Sequence, residues 1–302
     1  MTSDAAWRIT IILFSTGLAT YASAQPVTNS LPALAPEHQP APEEDQQPAA
    51  LTAQLNLDFT NAYFYRGIRQ QDKGLIVQPA ARVSLELAQH DDLSLSAFAG
   101  VWNSFGPNSG TTARQSLQDW YESDLIAGLT LTRGAVTVTA SYTFLTSPSD
   151  AFETVEELGL TLSLNDSEWL KEWALNPYAT LALETGANAS DGADSDPGLY
   201  LELGVSPGFT CNVGATPVTI TFPASVGISL ADYYQDAAGN DDTFGFAQLG
   251  VRASLPLHSS PGAGTWTLTA GISQLFLGDN TRAFNQGDDT QTIAVIGLQA
   301  SF

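Results

Sequence analysis

One cysteine, Cys211, stands in a chain of 302 residues. It excludes an intrachain disulfide and a cysteine-based metal cluster, and its simplest role is that of a small apolar wall residue. Positive charge is scarce as well: ten Lys and Arg against 32 Asp and Glu give a formal charge of -22. Phosphate binding rests on Lys and Arg, so nucleic acid is not an expected partner. Histidine is rare too: His38, His90 and His258 are the whole supply. Beyond the N-terminus no segment approaches the roughly 18 consecutive apolar residues of a membrane-spanning helix.

What is present begins with a short apolar stretch, ITIILFSTGLATYA (9–22), followed by the small-residue triplet Ala22-Ser23-Ala24. This reads as a secretory signal over 1–24, with Gln25 as the first mature residue. Asp4 offsets Arg8 in its n-region. A membrane anchor is the alternative, for which the stretch is short. Residues 25–50 are rich in Pro, Glu and Gln and predict a disordered, extended linker with too little apolar surface to fold.

From Leu51 onward, alternation dominates. In AVTVTASYTF (135–144), Val136, Val138, Ala140, Tyr142 and Phe144 share one side of an extended chain, and Thr137, Thr139, Ser141 and Thr143 share the other. The same pattern recurs over 51–59, 83–88, 93–102, 124–132, 157–165, 178–184, 199–209, 218–230, 246–257, 265–276 and 292–302. That makes about twelve strands, most near the roughly 9–11 residues of a tilted membrane strand. The connections alternate as well. Residues 89–92, 133–135, 213–217 and 258–265 are mostly short, whereas 104–117, 186–198, 232–242 and 278–289 are longer and polar. Short turns on one rim and long loops on the other suit an outer-membrane barrel, and an even strand number leaves both termini on the short-turn side. The connection 166–177 is long where a short one is expected. It offers Trp169, Leu170 and Trp173 either as an interfacial anchor or as a short solvent-exposed helix.

The apolar faces of so many strands, if left in water, would expose far more than the few hundred Å² a soluble monomer tolerates. They face lipid or a protein core. The expected fold is therefore all-β: a transmembrane antiparallel up-and-down β-barrel of about twelve strands over 51–302. The competing architecture is a soluble secreted β-sandwich, in which Leu160 or Val138 would pack against a second sheet. Pro79, Pro207 and Pro223 fall inside expected strands and need bulges or rim positions, because a closed barrel has no free edge.

The inward residues decide chemistry. Alternation places Asp58, Arg82, Glu86, Glu122, Asp124, Glu157, Glu184, Glu202 and Arg252 toward the lumen, seven acids against two bases. An open lumen lined this way favours cations; a narrow one would let Arg82 and Arg252 pair with acids as a plug. His38 falls in the linker, and His90 and His258 fall in turns of the short-turn rim, so a Ser-His or Asp-His hydrolytic site at the opposite rim is not expected. Asp191, Asp194 and Asp196 alternate on a long loop but lack the Gly and terminal Glu spacing of an EF-hand, so an acidic solvated loop is the default over a metal site. No cofactor is expected.

Residues 61–79, NAYFYRGIRQQDKGLIVQP, set Tyr63, Tyr65, Arg66 and Gly67 just after the first strand. Tyr63 and Tyr65 suit an interfacial belt, Arg66 a reach toward rim anions, and Gly67 a turn. This stretch resembles the Y-x-F-R-G-I-x-Q start of the uncharacterised TorF-like porins, and AGVWNSF (99–105), with Trp102, resembles their A-G-x-W segment. Tyr65 stands where that family usually has Phe, and Arg69 precedes Gln70. The resemblance covers about the first 55 barrel residues and implies an outer-membrane, porin-like protein with no catalytic residues to transfer. The terminal Phe302, closing an alternating strand, resembles the signal read by barrel-assembly machinery. Together these features lead to a signal-exported outer-membrane channel passing small cationic or neutral solutes, with lipid and the assembly machinery as partners. A non-conducting structural or adhesive barrel acting through its long acidic loops is the alternative.

Overall fold

The computed structural model describes residues 51–107, 117–191, 197–214, 216–260 and 262–302. The signal and linker, His38, Asp194, Asp196 and part of the 104–117 connection lie outside them. The strands are β1 (Leu51–Thr60), β2 (Tyr63–Tyr65), β3 (Ile68–Gln71), β4 (Ile76–His90), β5 (Leu93–Phe105), β6 (Trp120–Arg133), β7 (Val136–Thr146) and β8 (Val155–Leu164). After the short helix α1 (Ser167–Leu170) come β9 (Tyr178–Glu184), β10 (Leu199–Val205), β11 (Gly208–Val213), β12 (Thr216–Thr221), β13 (Ala224–Ala231), β14 (Phe244–Ser260) and β15 (Gly264–Leu277). The short helix α2 (Asp279–Phe284) and β16 (Thr290–Ser301) follow.

One antiparallel sheet closes on itself, because β1 pairs with both β4 and β16 and β14 pairs with β15. The wall has twelve strand positions, two of which are broken by proline. β10 and β11 form one position interrupted at Ser206–Pro207, and β12 and β13 form another interrupted at Phe222–Pro223. β10 pairs with β13, β11 with β12, and β14 with both β12 and β13. The interruptions use the proline carbonyls without needing the missing N–H groups: Phe222 N–H donates to Pro207 O at 2.8 Å and Gly250 N–H to Pro223 O at 2.8 Å. Pro79 sits within β4 opposite Leu57 of β1. There the β4–β5 ladder lapses between Val77↔Phe105 and Ala80↔Trp102. The strands run longer than alternation alone marks, as in β4, which begins at Ile76 rather than Val83.

The oily face is the outer one. On β6, Leu125, Leu129 and Leu131 are 57, 50 and 41 % exposed, whereas the intervening Asp124 and Thr130 are 1 and 5 % exposed. Leu160 is likewise exposed and no second sheet covers it, so the sandwich is excluded. The outward leucines need a lipid cover, and a closed barrel supplies every backbone partner internally, as a bilayer demands. Among the described residues no helix is long and apolar enough to cross a membrane, and crossing by strands needs none.

The rims differ as the pattern predicts. Asp91–Asp92 and Gly134–Ala135 are two-residue turns, whereas residues 61–75 and 278–289 carry elements of their own. The 165–177 connection forms α1 and a 3-10 turn, Lys171–Trp173, closed by the Asp166 carboxylate, which accepts from the N–H groups of Leu175 and Asn176. Trp169 and Trp173 are exposed. At the seam, Phe302 donates its N–H to Ala53 O at 2.9 Å, and Ala53 donates its own to Phe302 O. The terminal ring meets Trp266 edge-on at 6.4 Å.

Candidate functional site in the barrel lumen

The first long connection folds inward as a second, two-stranded sheet. β2 and β3 pair with each other and with no wall strand. Arg66 and Gly67 form the tip, both at positive φ, 48° and 85°, the geometry of a two-residue type I′ hairpin turn. Glycine is needed there twice over, since a Cβ on Gly67 would also lie 3.0 Å from the Phe246 ring.

The expectation of a rim belt is overturned at this point. Tyr63, Tyr65 and Arg66 are 0, 6 and 6 % exposed, inside the barrel. An interfacial belt requires one face in lipid, and the hairpin instead spends its aromatics on filling the lumen. Tyr63 packs on Trp102 at 5.1 Å and edge-on against Tyr121 at 6.1 Å. Trp102 itself is buried on the inner side of β5.

The tip crosses to the far wall. The hairpin leaves between β1 and β4, yet Arg66 reaches β8, four wall positions beyond β4. Its guanidinium forks onto Glu157, Nη1 at 2.6 Å from Oε2 and Nη2 at 2.8 Å from Oε1. Nη1 also donates to the Tyr233 hydroxyl at 2.8 Å, and Tyr65 donates its hydroxyl to Glu157 at 3.1 Å. The guanidinium carbon lies 4.2 Å from the Tyr200 ring centre, 4.8 Å from Tyr65 and 5.2 Å from Tyr233. The turn backbone is held as well: Tyr234 donates to Arg66 O at 2.9 Å, and the Asn285 amide donates to Gly67 O at 2.7 Å and accepts from Arg69 N–H at 2.8 Å.

The remaining acids divide between two levels. Toward the long-loop rim, Glu202 accepts from Tyr178 at 2.7 Å and Tyr200 at 2.6 Å, and Glu184 accepts from the N–H groups of Ser190 and Gly198, both at 2.8 Å. Tyr178 lies across Gly204, where any side chain would collide with its ring. Glu122 and Asp124 lie against one another beneath Tyr63, and Asp124 Oδ1 finds no hydrogen-bond partner. Toward the short-turn rim the lumen is half-buried and hydroxyl-rich. Thr130–Thr139, Thr132–Thr137 and Thr161–Thr180 bond across strands at 3.2, 3.1 and 3.0 Å. Arg82 stacks over Phe98, its guanidinium carbon 3.6 Å from the ring centre. Arg252 and Asp58 attract each other, and Glu86 is half-buried near the turn.

Of the nine residues the alternation assigns to the lumen, Glu122, Asp124, Glu157, Glu184 and Glu202 are buried, and Asp58, Arg82, Glu86 and Arg252 are half-buried. Tyr200, Tyr233, Tyr234 and Asn285 were not singled out by the sequence. The hairpin had one legible signal, a turn-forming Arg-Gly between β-formers, but YFY does not alternate because all three side chains are buried. His90 ends β4 in solvent beside Asp91, and His258 lies in the bulged end of β14. Asp191 is buried and its carboxylate accepts from Gln235 N–H at 3.1 Å. Among the described residues no cluster of three or more His, Cys, Asp or Glu is arranged for a metal. Cys211 is a free, half-exposed thiol on β11.

No family model matches the chain, and no curated protein matches it. The TorF-like resemblance therefore rests on the residues that suggested it. Solved structures with a similar fold include an outer membrane channel from Pseudomonas putida F1, 13 % identical over 87 % of this chain and 100 % of that one, with a TM-score of 0.47. The KdgM porin, solved with disordered oligogalacturonate, is 7 % identical over 83 % and 99 %, TM-score 0.39. LpxR from Salmonella typhimurium is 10 % identical over 82 % and 99 %, TM-score 0.41. At these identities no residue role passes from one to another.

Proposed function

We propose that the chain is a porin-like protein of the bacterial outer membrane, exported by its 1–24 signal, and that it passes small cationic or neutral solutes by diffusion. The supporting observation is the two-sided wall: leucines outward, and inward a hydroxyl-lined lumen whose wall carries Asp58, Glu86, Glu122, Asp124, Glu157, Glu184 and Glu202 against Arg82 and Arg252. Excess fixed negative charge in a watery passage raises the local cation concentration. The inserted hairpin makes the passage narrow. The 25–50 linker serves as a tether on the short-turn side, lipid covers the outer face, and Phe302 serves the assembly machinery. Membership in the TorF-like porins is part of the same reading. The reading is of a channel rather than an enzyme, because among the described residues both histidines, His90 and His258, lie at the short-turn ends of strands and away from the buried lumen acids.

The test is conductance of the purified barrel in a planar bilayer under a salt gradient. A cation-selective reversal potential is expected; an anion-selective one would sink the proposal. One observation favours a second reading, a non-conducting structural or adhesive barrel: the hairpin tip reaches the opposite wall and is bonded there. Absence of current from both the intact chain and a hairpin-deleted one would select it.

A further inference from the structure

Arg66 is held as a ligand is held. Glu157 meets both terminal nitrogens of its fork, Tyr233 adds a hydroxyl, and the Tyr200 ring lies under the guanidinium plane. Two more carboxylates are linked to the residues that hold it: Glu202 accepts from the Tyr200 hydroxyl, and Glu184 accepts from the N–H of Ser190, whose hydroxyl meets that of Tyr233. Glu157, Glu184, Glu202 and Tyr200 belong to wall strands and Tyr233 to a neighbouring loop, so the receptor exists apart from the hairpin. The hairpin that delivers Arg66 shares no ladder with that wall. A plug alone does not require this construction, because a buried ion pair is often no more stabilising than well-packed apolar residues of the same volume. Planar bidentate bonding with aromatic stacking is what selects a guanidinium over an ammonium.

We propose that this part of the wall is a binding site for small solutes bearing a guanidinium group, and that Arg66 is its tethered occupant, displaced when such a solute passes. The solute class rests on the porin-like reading; the site itself rests on the geometry. The test uses full-length Arg66→Ala, with the temperature at which the folded band is lost on unboiled gels as readout. Methylguanidinium at millimolar concentration raises that temperature by several degrees in Arg66→Ala and leaves the wild type unmoved, since there the site is filled. Methylammonium does neither. Adding Glu157→Gln raises the half-saturating methylguanidinium concentration about tenfold or more, the loss of one charge-assisted bidentate contact. Equal responses to the two cations, or equal responses of wild type and variant, overturn the site. If Arg66→Ala does not fold unaided, its refolding yield becomes the readout: rescue by methylguanidinium alone supports the site, and no rescue overturns it. Block of Arg66→Ala current by methylguanidinium completes the picture. Binding without current in any variant keeps the site and removes the channel.

Discussion

At the scale of single residues, the lumen is organised by one ion pair. Arg66 and Glu157 are 91 positions apart in the chain and meet 2.6–2.8 Å apart in the barrel. Glu157→Gln is expected to cost roughly 3–5 kcal/mol, because it strands a buried guanidinium, and Tyr65→Phe only about 1 kcal/mol, the net worth of one hydrogen bond. Urea unfolding of the two refolded variants measures both; a Glu157→Gln cost below that of Tyr65→Phe would mean that water reaches the pair. The inward direction of Glu157 was legible, because alternation assigns a face to every strand residue. Its partner was not, because Arg66 lies in a connection, where no periodicity indicates direction. Tyr63 and Tyr65 misled for a related reason: an aromatic near a strand end suits a lipid interface and a packed lumen equally well, and only the path of the chain decides.

At the scale of elements, the barrel and the hairpin are separable. Thr60 and Ile76 already pair across β1 and β4, so replacing residues 61–75 by a short Asn-Gly turn leaves the seam intact. That deletion is expected to yield a folded barrel with larger single-channel conductance than the intact chain, read in a planar bilayer; unchanged conductance would mean that the hairpin does not limit the passage. Gly67→Ala is expected to destabilise by about 1–2 kcal/mol, since a Cβ there is strained at positive φ and meets Phe246. Strand number and rim asymmetry were readable from spacing. The broken strands were readable only as a difficulty: Pro207 and Pro223 were out of place in continuous strands, and β10–β11 and β12–β13 accommodate them by interrupting both at neighbouring wall positions.

At the scale of the whole molecule, the wall separates two media, and substitutions on its faces have different consequences. Leu160→Arg faces outward and is expected to cost about 2–4 kcal/mol near the midplane, lowering the temperature at which unboiled gels lose the folded band. Thr161→Arg faces the lumen and is expected to leave that temperature nearly unchanged while shifting the reversal potential toward anions. If both variants lose heat resistance alike, the outer face is not in lipid. The all-β class, the division of each strand into two faces and the excess of acid on the polar face were determined by the sequence alone, because period-two alternation and charge are properties of neighbours along the chain. Which medium each face meets, and that the lumen holds a hairpin bearing its own counter-ion, was decided only by closure of the sheet. Closure brings β8 and β10 opposite the first connection, and no local pattern encodes a contact made across the width of a barrel.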